Sequence, residues 1–260
     1  MTVVVIGAAG DLGRRVVHFV GERGADVRPF TRSDGYDLGD VASLDAAFAG
    51  ATAVFLQSSP SPDQVALETN AIAAAERAGV ARVVKLSNIP VAGLDDGLHG
   101  NHRAVERRLA ASPLVASTIL QPSFFTTVVD RQADLVARGQ VVLPFGGGRL
   151  AWVDPDDIAE VAAVALMGDI ADADDFDRPL VITGPEALDG DEVAARLGVT
   201  RLDPPLDQWR AMVAESGMDP WLLDSTVHLF EAVARGALDV VSPDVELVLG
   251  RPPRRAFAPS

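Results

Sequence analysis

The chain has 260 residues with 37 acidic against 22 basic side chains, a formal charge of −15, and no cysteine. That length can bury one large domain, or a core with a smaller lobe, while the missing cysteine excludes disulfides, thiolate catalysis and Cys-ligated zinc. The acidic balance argues against a nucleic-acid groove, and with no apolar run of membrane-span length and no charged leader before the first strand, the expectation is a cytoplasmic protein with no membrane partner.

In chain order, residues 2–6 read as a buried strand, Gly7, Gly10 and Gly13 follow at three-residue spacing, and an amphipathic run covers 12–20. A strand, a glycine turn and a helix start together aim backbone N–H groups and a helix dipole at an anion. Gly7 lets the chain reverse, Gly10 lets a pyrophosphate approach the backbone, and Gly13 lets the helix pack close on the sheet, with Ala9, Asp11 and Leu12 completing the loop. The spacing is G-x-x-G-x-x-G, and the strand before and helix after it supply the context that a dinucleotide site requires.

Residues 25–31 read as the second strand, ending in Thr31, Arg32 and Ser33. NAD sites usually place Asp or Glu there, whereas NADP sites offer Arg to the extra phosphate, so NADP(H) is expected over NAD(H). The alternative is a solvated arginine beside Asp34. Asp37 and Leu38 are candidates to border the adenine before a helix over 41–48. The next strand, 53–57, brings Leu56, Gln57 and Ser58 to the end of the sheet where ligands bind. A helix over 63–78 and a strand over 80–86 follow, ending in Ser87 and Asn88. The next helix carries His102 and Glu106, four apart and able to pair. A strand over 115–120 closes with Gln121, Pro122 and Ser123, and Ser87, Pro122 and Ser123 join the cofactor set. This alternation predicts an α/β fold: a Rossmann-type, doubly wound parallel sheet.

The second half reads as a helix over 124–138, short strands at 141–143 and 150–153 around three glycines, and a helix from the Asp154 cap to 166. A strand over 178–183 precedes a mostly helical stretch: 191–197, 206–216, 220–235, and a tail around Val245. The expected division is a cofactor-binding core over 1–183, with 123–149 contributing to the substrate cleft, and a small capping lobe over 184–260.

These motifs resemble the NmrA-like, atypical short-chain dehydrogenase/reductase group, which includes NAD(P)H-quinone oxidoreductase-type proteins. The matching pieces run from Val5-Ile-Gly-Ala-Ala-Gly-Asp-Leu-Gly13 and Thr31-Arg32 through Val84-Lys-Leu-Ser-Asn88, His102-x-x-x-Glu106 and Thr118-Ile-Leu-Gln-Pro-Ser-Phe-Phe125. They continue with Trp152-Val-Asp-Pro-Asp-Asp-Ile-Ala159, Ile182-Thr-Gly-Pro-Glu-Ala187 and the stretch from Val245 to Pro253. The group mixes reductases with cofactor-binding regulators. Its wider superfamily uses a Tyr-x-x-x-Lys pair for proton transfer. Aligned through Glu106, the lysine position holds His102 and the tyrosine position Leu98; with one tyrosine at 36 and one lysine at 85, no such pair can exist here.

An acceptor that delocalises the incoming charge fits what is left: a quinone or another conjugated carbonyl, held in an apolar cleft. His102 is the candidate proton donor, the alternative being a helix-face residue paired with Glu106. Ser87 is the candidate to hydrogen-bond substrate or carboxamide, and Asn88, Phe124, Phe125 and Trp152 are the candidate substrate pocket. His99 and His102 with Asp95 and Asp96 lack a third ligand at defined spacing, so no metal is expected. The expected function is an NADPH-dependent reductase of a small aromatic or conjugated carbonyl; the other reading is a non-catalytic dinucleotide sensor. Assembly as a homodimer stays open.

Overall fold

Both faces of β1 (Thr2–Ile6) are covered, with Val3 through Ile6 all buried, and β2 (Asp26–Phe30) and β3 (Ala53–Leu56) pair on either side of it. A computed structural model describes residues 1–114, 116–170 and 178–257. β4 (Arg82–Leu86), β5 (Ala116–Pro122) and β7 (Leu180–Ile182) extend the sheet in the order β2-β1-β3-β4-β5-β7, every pair parallel. The expected start of the fifth strand at Val115 lies outside the described residues. Strands buried on both faces need no polar alternation, which is why they read as continuous β-branched runs.

Two helical layers cover the sheet. α1 (Asp11–Glu22) and α7 (Pro155–Met167) close one face over Val3, Val5, Phe55 and Val84. α2 (Val41–Phe48), α3 (Gln64–Ala78) and α4 (Gly97–Ala110) close the other over Val4, Ile6, Val54 and Val83. α7 begins where the sequence marks it: the Asp154 side chain accepts from the Asp156 amide at 2.8 Å, and Pro155 opens the first turn, where its missing N–H is not needed.

The stretch expected as one helix over 124–138 is instead two short helices, α5 (Thr127–Asp130) and α6 (Ala133–Ala137). Gln132 explains the break. Its side chain accepts from the Val142 amide at 2.8 Å and donates to the Val142 carbonyl at 3.1 Å, so it serves β6 (Gln140–Val142) as a neighbouring strand would. The main-chain partner of β6 is β8 (Thr200–Leu202), a parallel strand absent from the mostly helical reading of that region. Residues 150–153 form no strand either: Leu150 bridges to Leu188 and Val153 to Phe125, two different partners with no ladder between them.

A second hydrophobic cluster gathers around Trp152, drawing on Ile89 and Val91 after β4, Phe145 and Leu150, and Val227 and Phe230 of α10 (Pro220–Ala234). α8 (Gly190–Leu197) and α9 (Leu206–Glu215) complete it. α11 (Asp244–Leu249) does not join this cluster; Val245 packs into the core beside α7 instead. Buried Asp244 receives Arg178 and the Val181 amide, and fully buried Asp157 receives Arg251 and Arg254, so residues 244–254 are tied to the sheet layer rather than to the lobe expected over 184–260. Among the described residues no helix is long and apolar enough to cross a membrane.

Candidate active site

The chain leaves β1 for β2 on one side and returns to β3 on the other, which opens a crevice at the strand C-termini between β1 and β3. A cavity of about 330 Å³ lies there, lined by Ile6, Gly7, Ala9 and Gly10 from the first turn, by Phe30 through Ser33 and Tyr36 through Leu38, and by Gln57, Ser58, Ser59 and Leu67. Ten of the expected cofactor residues therefore meet in one place: Gly7, Ala9, Gly10, Thr31, Arg32, Ser33, Asp37, Leu38, Gln57 and Ser58. Gly7 needs its freedom, since its φ is +77°. Gly10 stands at the head of α1 with no side-chain cap, so the first-turn amides have no acceptor from that residue.

Other expected cofactor residues support the crevice from outside its lining. Leu12 and Leu56 are buried apolar packing, 5 % and 1 % exposed. Gly13 touches the Gly7 turn from behind, and Asp11 is exposed and paired with Arg15 at 3.4 Å. Tyr36, which composition reduced to a missing catalytic group, stacks on Phe30 with centroids 4.9 Å apart and forms part of the crevice wall.

Two polar atoms test whether a dinucleotide suits this crevice. Gln57 Oε1, in the crevice wall, and Ser123 Oγ, at the end of β5, are buried and have no hydrogen-bond partner among the described residues. Buried polar groups are nearly always paired, so Gln57 Oε1 suits a ligand hydroxyl or amide in the crevice, whereas Ser123 lies outside its lining. The residues fit the group. At the outer end of the crevice, the Asp34 carboxylate accepts from Thr31 Oγ1, whose partners also include Ser33 Oγ at 2.8 Å. Arg32 lines the cavity with no ion pair to Asp34.

Beyond the crevice, α4 lies across the end of β4 and builds a polar cluster. Ser87 donates to Glu106, which also accepts from Gln121 at 3.1 Å and pairs with Arg103 at 2.8 Å. Arg103 reaches on to Ser87 Oγ and to both oxygens of Asn88. The expected His102–Glu106 pair is not formed, because Glu106 is taken by these donors and His102 turns to Lys85, with Nδ1 and Nζ 3.3 Å apart. Lys85 is fully buried and ion-paired to equally buried Glu68 at 2.9 Å. Ser58 of the crevice wall donates to the same carboxylate through its amide, at 3.2 Å, and its hydroxyl, at 2.8 Å.

Burial, then the charges of Lys85 and Arg103, hold His102 well below its ordinary value. The imidazole is therefore neutral at physiological pH, against the expected role as a protonated acid. Of the expected substrate pocket, Trp152 is fully buried, edge-on to Phe124 at 5.1 Å and to Phe257 at 5.2 Å, so it packs the lobe and has no face to offer. Phe125 packs against the sheet core, while Phe124 and Asn88 remain half-buried. Pro122 is buried at the last position of β5, where its carbonyl accepts from the Ile89 amide at 3.0 Å.

His99 gives a pH prediction. Asn88 lies against its Nδ1 at 2.9 Å, and burial followed by Arg103 lowers it from 6.5 to about 4. Between these values the unfolded chain binds the proton that the folded one refuses, so stability rises with pH through the window and is lost as pH falls. The expected loss between pH 7 and 4.5 is about 2–3 kcal/mol from this residue. Urea unfolding at both pH values checks it: the drop should be smaller in His99→Gln by that amount.

Fold and crevice together define a dinucleotide-binding α/β protein. A family model described as NAD(P)H-binding matches residues 7–169. The chain belongs to that family and is an oxidoreductase of the atypical short-chain dehydrogenase/reductase group its motifs resemble. It is 28% identical to an NAD(P)H azoreductase of Xenophilus azovorans, over 97% of this chain and 94% of that one. It is 29% identical, with the same shares covered, to a (4-alkanoyl-5-oxo-2,5-dihydrofuran-3-yl)methyl phosphate reductase of Streptomyces griseus. Among solved structures, an NADPH-dependent quinone oxidoreductase of Escherichia coli, complexed with NADPH, superposes with a TM-score of 0.79 at 21% identity over 98% of this chain and 97% of that one. A Citrobacter triphenylmethane reductase complexed with NADP(H) gives 0.78 at 18% identity, over 99% and 98%.

Proposed function

We propose that the protein is an NADPH-preferring reductase of a quinone or related conjugated acceptor, working without a Tyr–Lys pair. The observation that carries the reading is Arg32: a guanidinium in the crevice wall, at the end of β2, whose neighbouring carboxylate is already engaged by Thr31. A guanidinium with no carboxylate partner among the described residues suits a phosphate, to which it can donate two parallel hydrogen bonds. Thr31 and Ser33 add hydroxyls on the same side. A nicotinamide coenzyme, when bound, supplies the hydride. Gly7, Gly10 and the start of α1 would hold its diphosphate, and Gln57 and Ser123 would offer it their unpaired oxygens.

At the acceptor end, the second amide N–H of Asn88 orients a carbonyl while Ser87, committed to Glu106, holds the cluster together, and half-buried Phe124 lines an apolar wall. The lobe around Trp152, Phe145 and Phe230 keeps that wall in place from behind. Names of the relatives support the reaction class: reductases of azo, quinone and conjugated furanone compounds. With His99 and His102 both held below the ordinary histidine value by burial and neighbouring cations, an acceptor that can delocalise charge and take its proton from water is the chemistry this cluster suits.

Arg32→Ala is expected to weaken NADPH binding by about 10- to 100-fold, the loss of one charge-assisted phosphate contact, while NADH binding changes by less than about twofold. Equal losses for both coenzymes in calorimetry would refute the NADPH preference. A panel of quinones, enones and azo compounds, followed by nicotinamide absorbance, tests the reaction. Tight coenzyme binding with no turnover on any of them would move the assignment to a sensor.

A further inference from the structure

We propose that Lys85, anchored by Glu68, is a positioning residue that locks His102 as a neutral imidazole with its proton on Nε2, a hydrogen-bond donor to a ligand oxygen. The argument starts from donors and acceptors. A lysine ammonium carries three N–H groups and no lone pair. Around Lys85 Nζ stand three acceptors: the Glu68 carboxylate at 2.9 Å, the Leu86 carbonyl, and His102 Nδ1 at 3.3 Å. Lysine and glutamate side chains are both 0 % exposed, so bulk water completes neither set. Loss of the ammonium's charge would leave a carboxylate buried without its counter-ion, which is far less favourable than keeping the pair. The ammonium has hydrogen-bond geometry to the Leu86 carbonyl and to Nδ1, and with no lone pair of its own to offer, it leaves Nδ1 to accept. The ring proton then sits on Nε2.

The position gives that proton a use. In the alignment through Glu106, His102 stands where the superfamily carries its lysine, and here the lysine approaches the same spot from β4 behind the ring. His99, Arg103 and Glu106 on the same helix meet Ser87 and Asn88 at the end of β4, so this face of α4 overlies the expected acceptor end. Among the described residues Nε2 has no partner, and it is the ring nitrogen left for a ligand. The charged and titratable groups bearing on the ring are Lys85 from β4 and Arg103 and His99 from α4, all of which oppose protonation. Glu68 of α3 acts on it through Lys85, and α10 meets α4 at Ser225, whose Oγ accepts from the Leu98 amide at 3.2 Å.

A neutral donor of this kind stabilises charge on oxygen without surrendering a proton, and its strength does not change across physiological pH. What it acts upon, a ribose hydroxyl or an acceptor carbonyl, rests on the reductase reading; its tautomer does not.

The test therefore begins with the ligand-free full chain. Nitrogen NMR of His102, assigned by loss of its signals in His102→Gln, is expected to show a protonated Nε2 and a bare Nδ1 throughout pH 6–8. A protonated Nδ1, or an imidazolium in that range, overturns the positioning role and leaves the reductase reading intact. Adding NADP⁺ alone should shift the Nε2 resonance if the partner is coenzyme; a shift that requires a quinone assigns it to the acceptor. No shift with either overturns the donor role. For function, K85M/E68Q removes both charges together and keeps an acceptor for Ser58. It is expected to lower kcat by about tenfold, the loss of one well-placed hydrogen bond, with KM for NADPH changed by less than about twofold where the acceptor carbonyl is the partner and raised where the ribose is. It should also leave Nδ1 without its donor, so that nitrogen NMR of the double variant shows both neutral tautomers in exchange. A packing defect alone would keep the proton on Nε2, and a folded double variant that still shows only that tautomer overturns the proposal.

Discussion

Lys85→Met on its own is expected to destabilise the fold by about 3–5 kcal/mol, the penalty for leaving one member of a buried ion pair uncompensated. Glu68 would then face an apolar side chain with its carboxylate 0 % exposed and, among the described residues, Ser58 and Gln64 as its remaining donors. Comparison with a surface pair decides the magnitude. Arg77 and Asp45 approach to 2.6 Å, closer than the buried pair, yet both are nearly half exposed, and Arg77→Ala is expected to change stability by less than about 1 kcal/mol. Distance is similar in the two pairs; access to water is not. The double variant K85M/E68Q should recover much of the loss, because no buried charge remains without a partner. Urea unfolding of the three variants measures all of this. A Lys85→Met protein within about 1 kcal/mol of the wild type would mean that water reaches the pair, and the dry character of the site would have to be abandoned.

That pair also marks where the sequence stops being informative. The crevice was legible because its ingredients are local: five residues of strand, a glycine turn and a helix start lie next to one another in the chain, and the ends of β2 and β3 follow from counting parallel strands. Glu68 and Lys85 are distant in a different sense. One sits in a helix rich in alanine and polar residues; the other entered the sequence reading only as the lone lysine whose place rules out a Tyr–Lys pair. One signal was available. In Arg82-Val-Val-Lys-Leu86 the sole lysine of an arginine-using chain occupies an inward position of a fully covered strand, and such a charge requires a buried partner. Its identity depends on how α3 and α4 cross the sheet, which no local pattern encodes. His102 was misjudged for the same reason, since spacing placed it beside Glu106 on the helix while Ser87, Arg103 and Gln121 had prior claim on that carboxylate. Gln132 and β8 illustrate the limit at the level of elements, where a side chain substituting for a strand ended a helix that periodicity would have continued.

Gly13→Ala and Gly21→Ala, one helix and two turns apart, are expected to move stability in opposite directions. A Cβ at Gly13 would sit inside contact distance of the Gly7 carbonyl, with Ala8 Cα immediately beside it, and these are backbone atoms that cannot swing aside. Either α1 lifts from the sheet or the Gly7 turn gives way. The expected destabilisation is about 2–3 kcal/mol, the upper end for overpacking a tight site. The same shift moves the first-turn amides that face the crevice, so NADPH affinity should fall by at least about 100-fold, more than packing alone would require. At Gly21 nothing lies within 4 Å of the added carbon and the residue is helical, so alanine should raise stability by about 0.5–1 kcal/mol through reduced freedom of the unfolded chain. Urea midpoints and coenzyme titrations on both variants separate the two effects. If Gly13→Ala bound NADPH as tightly as the wild type, the close approach of α1 to the first turn would have nothing to do with holding the diphosphate, and the dinucleotide would have to be seated elsewhere in the crevice.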